Sequence, residues 1–362
     1  MKPGRFIGTT GPALNVEDFN ETSVPVTLST QFHVDTQFTT QDLALSLDMF
    51  SDRVLKPAVA AIANKIDRDG TLQAANNTYN IVGTAGTPPT GLITYLTAAA
   101  YLDSEGAPRD GRRSCIVEPF TSATIVDSLK GLFVPQEAIG EQYRKGLMGR
   151  DSAGMNWKMD QNVVAHTFGS FAGTATVATT TATGFLTSGW ASSSNITLTL
   201  TNGVSLNQGD TFTIAGVYAV NPQNRQAYGS NKLRNFVVNT AVSGSGSTIT
   251  VNVSPAVITA GQFQNVSIPS TSATAAVSFF NSSGTVSPQN IIMHRNAFTL
   301  AVADLELPEG VHFAGRASDK EIGLSMRVVR QYTINNDSIP TRLDVLYGWA
   351  NLYPELACRV AA

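Results

Sequence analysis

Charge is scarce in this chain. Of its 362 residues only 14% are Asp, Glu, Lys or Arg, against roughly 25% in ordinary soluble domains. With a formal net charge of −3, it lacks the overall basic footprint that tight nucleic-acid binding needs. Two cysteines, Cys115 and Cys358, stand far apart with no CxxC partner, which argues against a disulfide framework, a zinc knuckle or a redox dithiol. No apolar run approaches the ~20 residues that span a bilayer, and MKPGRFIGTTGPALN has no signal-peptide core. A cytoplasmic setting without a membrane partner is therefore expected. The four histidines, His33, His166, His294 and His312, have no second ligand at metal-site spacing. A GxSxG elbow, a Walker lysine and a Rossmann glycine fingerprint are all missing. Pairs such as Glu137 with Glu141 or Asp42 with Asp48 have the spacing any solvated helix face produces. Neither catalysis, nor a metal, nor a cofactor is expected. A polar but weakly charged surface avoids the cost of burying ions, which suits a subunit packed against neighbours.

The length exceeds one ordinary domain, so two domains, or one carrying an insertion, are expected. Gly4, Gly8, Gly11, Pro12 and Pro25 punctuate an N-terminal stretch without apolar periodicity, which reads as an extended arm. In VPVTLSTQFHVDTQFTT, Val26, Leu28, Phe32 and Val34 alternate with polar residues, predicting strands of a long hairpin or loop with little core material. From residue 46 the period changes. Leu47, Phe50, Val54, Ala58, Ile62 and Ile66 recur at helical spacing, with Pro57 in the middle as a kink and Gly70 or Asn76-Asn77 closing the helix. A short helix around residues 92–102, a strand in RRSCIVEP and a helix in TSATIVDSLKGLF started by Thr121 follow. Residues 135–160 read as helix then loop and carry the basic residues Arg144, Lys145 and Arg150. These could touch DNA phosphates or a neighbour's acidic groups, or lie in a solvated loop.

Between residues 168 and 286 only four charged residues occur, Asp210, Arg225, Lys232 and Arg234, against forty-seven elsewhere. ITLTLTNG, DTFTIAG, NFVVNTAV and TITVNVSP show β-branched alternation ended by turn residues, predicting a small all-β barrel or sandwich. With α+β patterns on both sides, it reads as an insertion, which divides the chain into 1–167, 168–286 and 287–362. The last part, through NIIMHRNAFTLAVADLEL, EIGLSMRVVRQYTI and TRLDVLYGWANLYPELACRV, reads as sheet.

The strings LSLDMFSDRVLKPAVAAIANKID, RRSCIVEP, EQYRKGLMGR, GDTFTIAGVYAVNPQNRQ, HRNAFTLAVADLELPEGV and LDVLYGWANLYPELACR resemble, in order and over nearly the whole chain, the podovirus coat-protein family whose subunit carries an inserted β-barrel. The resemblance implies the α+β capsid fold shared by tailed phages and herpesviruses. In it, residues 1–24 form an N-arm, 26–42 an E-loop and 46–77 a spine helix, with axial and peripheral domains around the inserted barrel. It implies a virion capsid protein assembled in the host cytoplasm, a homo-oligomer of pentamers and hexamers in an icosahedral shell. Scaffolding and portal proteins would be its partners, packaged double-stranded DNA would be touched weakly, and a rounder precursor would expand about the spine helix. Pro57→Ala would then alter precursor shape or expansion. Phe32, His33 and Asp35 of the E-loop and Arg225, Lys232 and Arg234 of residues 221–235 are the expected inter-subunit contacts. An isopeptide crosslink would need a lysine in residues 26–42, which contain none. The rival reading is a β-rich phage tail or surface binding protein, which would account for the Thr/Ser-rich segment but not for the long helix.

Overall fold

The computed structural model describes residues 6–14, 16, 19–41, 54–128, 153–171, 174–177, 184–244, 247–269, 274–280, 284–319 and 323–362. The chain divides into two compact units: Val24–Gln73 with Phe298–Ala350, and Met1–Ser23 with Ala74–Ala297 and Asn351–Ala362.

In the first of these, β1 (Thr30–Thr39), β20 (Ser338–Asn351), β19 (Leu324–Arg330) and β18 (Phe313–Asp319) form a sheet in that order, and β17 (Phe298–Ala303) also pairs with β20. Period-two alternation sorts its faces. Phe32 and Val34 lie opposite Val345 and Leu343, while His33 and Asp35 lie opposite Asp344 and Arg342. The apolar face is covered by α1 (Lys56–Asn77), whose Ala58, Ile62 and Ile66 pack on Leu343, Val345 and Tyr347, with Phe32 and Val34 at the margin. Burying each such aliphatic side chain is worth about 1.5–3 kcal/mol. The alternation in VPVTLSTQFHVDTQFTT predicts strand, and β1 is one, paired along its whole length with β20; the expectation of little core material is corrected in that Phe32 and Val34 are partly buried against the core. Pro57 is the second residue of α1 as described, preceded by a π-type turn at Val54 and Leu55. Residues 46–53, the rest of the expected helix, lie outside the described set. The helix passes through Gly70 and ends at Asn77, the other expected closing point, and Gly70 makes room for Trp349. A Cβ at Gly70 would stand 2.6 Å from Trp349 Cζ2, and the Trp349 indole donates to the Ile66 carbonyl at 3.1 Å.

The second unit holds an open sheet, a barrel and a small accessory sheet. β2 (Ile81–Gly83), β21 (Ala357–Ala361), β16 (Val286–His294), β3 (Arg113–Val117) and β4 (Asn156–Met159) run in that order, and β5 (Ala165–Thr167) pairs with β16. One face buries Cys115, Val117, Ile292, Cys358 and Val360 against α2 (Leu92–Ser104) and Ile125 of α3 (Pro119–Ser128). The start of α3 differs from the expectation. Glu118, not Thr121, is the cap, its carboxylate accepting from the Thr121 N–H at 3.1 Å and hydroxyl at 2.9 Å, and Pro119 occupies the first helical position that suits it.

The four strand-like strings of the weakly charged segment are all strands. β11 (Leu233–Val238), β13 (Thr248–Ser254), β8 (Ser194–Leu200), β7 (Ala175–Val177), β15 (Ala275–Phe279) and β10 (Thr211–Ala219) pair antiparallel in that order. Pairing of β10 back to β11 closes a six-stranded barrel. Their alternate residues, among them Ile196, Leu198, Phe212, Ile214, Phe236, Val251 and Val253, fill an apolar interior. Short β14 (Val266–Ser267) extends β10, and β6 (Ser170–Phe171), β9 (Val204–Leu206) and β12 (Val242–Gly244) form a small accessory sheet. The chain approaches the barrel through β5 and leaves it through β16, and these two strands are hydrogen-bonded to each other, with Thr167 opposite Val286.

Candidate assembly surfaces and the barrel clamp

The four charges of residues 168–286 all engage this chain's own groups. Arg234 on β11 is buried. Its Nη1 bonds the Glu105 carboxylate just past the end of α2, its Nη2 donates to the Tyr79 hydroxyl at 3.0 Å, and its guanidinium stands 4.8 Å from the Tyr79 ring centre. Burial opposes the Arg234 charge, but Glu105 and Tyr79 outweigh it and push the pKa above its ordinary value. Beside it the Tyr228 hydroxyl donates to the Ser104 carbonyl, and the Lys232 ammonium lies 4.2 Å over the Tyr101 ring. Together these clamp one side of the barrel to the end of α2. Asp210, at the start of β10, is held at the barrel's base by His166 Nε2 at 2.8 Å and by the N–H groups of Gly169 at 3.0 Å and Asn207 at 2.8 Å. Arg225 donates through Nη2 to the Phe6 carbonyl at 2.7 Å.

Of the contact candidates in residues 221–235, Arg234 is buried on Glu105 and Tyr79, Arg225 donates to Phe6, and Lys232 is exposed over the Tyr101 ring. The expected N-arm has no helix or strand in residues 6–14, and Arg225 ties its Phe6 to the barrel segment. A second tie runs from Asn20 Nδ2 to Gln262 Oε1 at 3.2 Å.

Of the remaining candidates, Phe32 faces inward, whereas His33 and Asp35 are partly exposed on the polar face of their sheet, 2.9 Å apart. Asp344, opposite His33, is fully covered there by side chains. Arg327 donates to it twice, at 3.0 and 2.5 Å, and Gln31 once at 3.0 Å. Burial works against this carboxylate, yet Arg327 and Gln31 hold its pKa below the usual value. Arg144, Lys145 and Arg150, like Glu137, Glu141, Asp42 and Asp48, lie outside the described residues. Sequence reasoning missed Glu105, Tyr79 and His166. The rarity of charge in residues 168–286 did mark Arg234 and Asp210 as special, but not the direction in which they act.

Among the described residues no group of three or more His, Cys, Asp and Glu side chains is placed to hold a metal, and no helix is long and apolar enough to cross a membrane. The histidines have local partners instead, His166 on Asp210 and His294 on Asp110 at 3.2 Å. The described sites fasten layers together and offer surfaces for contact.

Comparison with known proteins gives three results. No curated protein matches the chain. Solved structures resemble it at low identity. The bacteriophage PhiM1 mature capsid shares 10% identity over 99% of this chain and 79% of its own, with a TM-score of 0.43. The capsid of cyanophage P-SCSP1u shares 11% over 100% and 83%, with a TM-score of 0.41. The model of the family described as "P22 coat protein - gene protein 5" matches residues 9–359. On that match the chain belongs to the P22 coat protein family, and is a major capsid protein that forms the phage shell, a structural virion component and not an enzyme.

Proposed function

We propose that this coat protein assembles as pentamers and hexamers into an icosahedral precursor with a scaffolding protein, incorporates a portal, and expands on maturation around packaged double-stranded DNA. Residues 1–24 serve as the N-arm, 26–42 as the E-loop, 46–77 as the spine helix, and 168–286 as an inserted barrel domain between 1–167 and 287–362. The axial and peripheral parts of the subunit lie outside the barrel. The observation that carries this reading is the family match over residues 9–359. One feature supports the finer parts: the strands flanking the barrel pair with each other, as an insertion into a loop requires.

Neighbour contacts belong to exposed apolar side chains in this reading. Leu14 is 89% exposed, Val16 78%, Ile93 70%, Phe120 80% and Ile334 80%. Ile93 lies on α2, whose stretch LITYLTAAAYL carries no charge on either face, the pattern of a helix covered all round. Such patches sum through many weak heterologous contacts into a closed shell. His33 and Asp35 remain contact candidates on their polar face, and Arg144, Lys145 and Arg150 remain candidates for DNA or a neighbour. Electron microscopy with analytical ultracentrifugation, with and without scaffold, tests the reading. Closed shells or capsomer rings are expected. A stable monomer or small trimer under every condition would overturn the proposed scaffold-assisted assembly.

A further inference from the structure

Arg359 sits on β21 at the middle of its sheet, opposite Ile291 of β16 on one side and Ile81 of β2 on the other. Its side chain points away from α2, because Cys358 and Val360 take the α2 face, and it meets the base of the barrel. It is fully buried. One of its five N–H groups is used, Nη2 donating to the Gly209 carbonyl at 2.8 Å, while Nε and Nη1 have no protein partner. Gly209 can present that carbonyl because its φ is +93°, and a Cβ there would meet Asn76 Oδ1 at 3.0 Å and His166 Cε1 at 3.3 Å. On the same sheet face, diagonal to Arg359, Gln289 is buried with its amide nitrogen donating to the Ser287 carbonyl at 3.1 Å and its Oε1 unpartnered.

A buried donor or acceptor left without a partner costs roughly 1–3 kcal/mol, more for a charged group, and ordered water is the commonest remedy. We propose that the seam between this sheet and the barrel base is a binding site for an ordered water, which accepts from one free N–H of Arg359, that of Nε or Nη1, and donates to Gln289 Oε1. The chemistry selects water over an ion. An anion would satisfy the guanidinium, but it would leave Gln289 Oε1 without a donor and face the Asp210 carboxylate, whose field reaches Arg359. A cation would be repelled by the guanidinium itself. Burial also lowers the Arg359 pKa to about 10, consistent with a charge that protein groups alone solvate poorly.

The test is a density map of the assembled shell, or of crystals of the chain, at a resolution that shows ordered water. A peak within about 3 Å of both Arg359 Nε or Nη1 and Gln289 Oε1 is expected. Direct bonding of Nε or Nη1 to the Asp210 carboxylate, with no peak, would overturn the proposal. In Gln289→Leu the peak should weaken or vanish with the sheet otherwise unchanged; an undiminished peak would contradict the bridge. Failure of the chain to form shells bears on the assembly reading alone, since crystals of the chain answer this question.

Discussion

Residues 168–286 carry four charged side chains and residues 298–350 carry twelve, and the two regions use them differently. In the first, the strands present almost no charge of their own, and the four that exist lie at the barrel's margins, where they bond the rest of the chain. In the second, charges line one sheet face. Arg327, Arg342 and Gln31 there close over Asp344 while the opposite face packs on α1. Charge fastens the barrel to its own subunit, whereas charge finishes the surface of the five-stranded sheet. The few charges of the weakly charged segment all have a group of their own chain beside them.

The comparison breaks most sharply at the clamp. Glu105→Ala leaves the buried Arg234 without its counter-charge, and a loss of about 3–5 kcal/mol is expected in urea unfolding. An effect under about 1 kcal/mol, the level of a surface pair, would mean that the clamp is open to solvent. Next in size is the sheet network. Asp344→Asn is expected to cost about 1.5–3 kcal/mol, the worth of hydrogen bonds to a charged group. Because the Asp344 pKa is depressed in the folded protein, its contribution is present above the unfolded carboxylate pKa and is lost as pH falls through the lower folded value. The variant should therefore lose part of the wild-type decline in stability on acidification, and parallel pH curves would refute that link. The smallest effect belongs to Lys232→Met, about 0.5–1 kcal/mol from the cation over the Tyr101 ring, measurable in the same experiment.

Much of the fold was legible in local patterns. β8, β10, β11 and β13 announce themselves by Thr, Val and Ile alternation ended by turn residues, and α2 by its apolar run. Alternation also separated Phe32 and Val34 from His33 and Asp35. It could not say which face would find a core, because the answer comes from α1 and from a strand some three hundred residues away. The place of Pro57 in the expected helix turns on residues 46–53, which lie outside the described set. Glu118 was overlooked as a cap because Thr121 is the commoner capping residue, although the Glu-Pro pair marked the boundary. The clamp was half legible: Arg234 and Lys232 stood out by rarity, but Glu105 and Tyr79 lie some 130 to 155 positions away, and no spacing rule connects them.

The central claim, that the barrel's charges bind its own subunit, is tested most directly by a double-mutant cycle on Glu105 and Arg234 in dilute, unassembled protein, where no neighbour is present. Glu105→Ala, Arg234→Ala and the double variant would be unfolded in urea beside the wild type. The account predicts a favourable coupling of about 1.5–3 kcal/mol, the upper part of the range for residues in contact. Additive losses in the unassembled chain, with coupling that appears only in shells, would place the pair between subunits and contradict it.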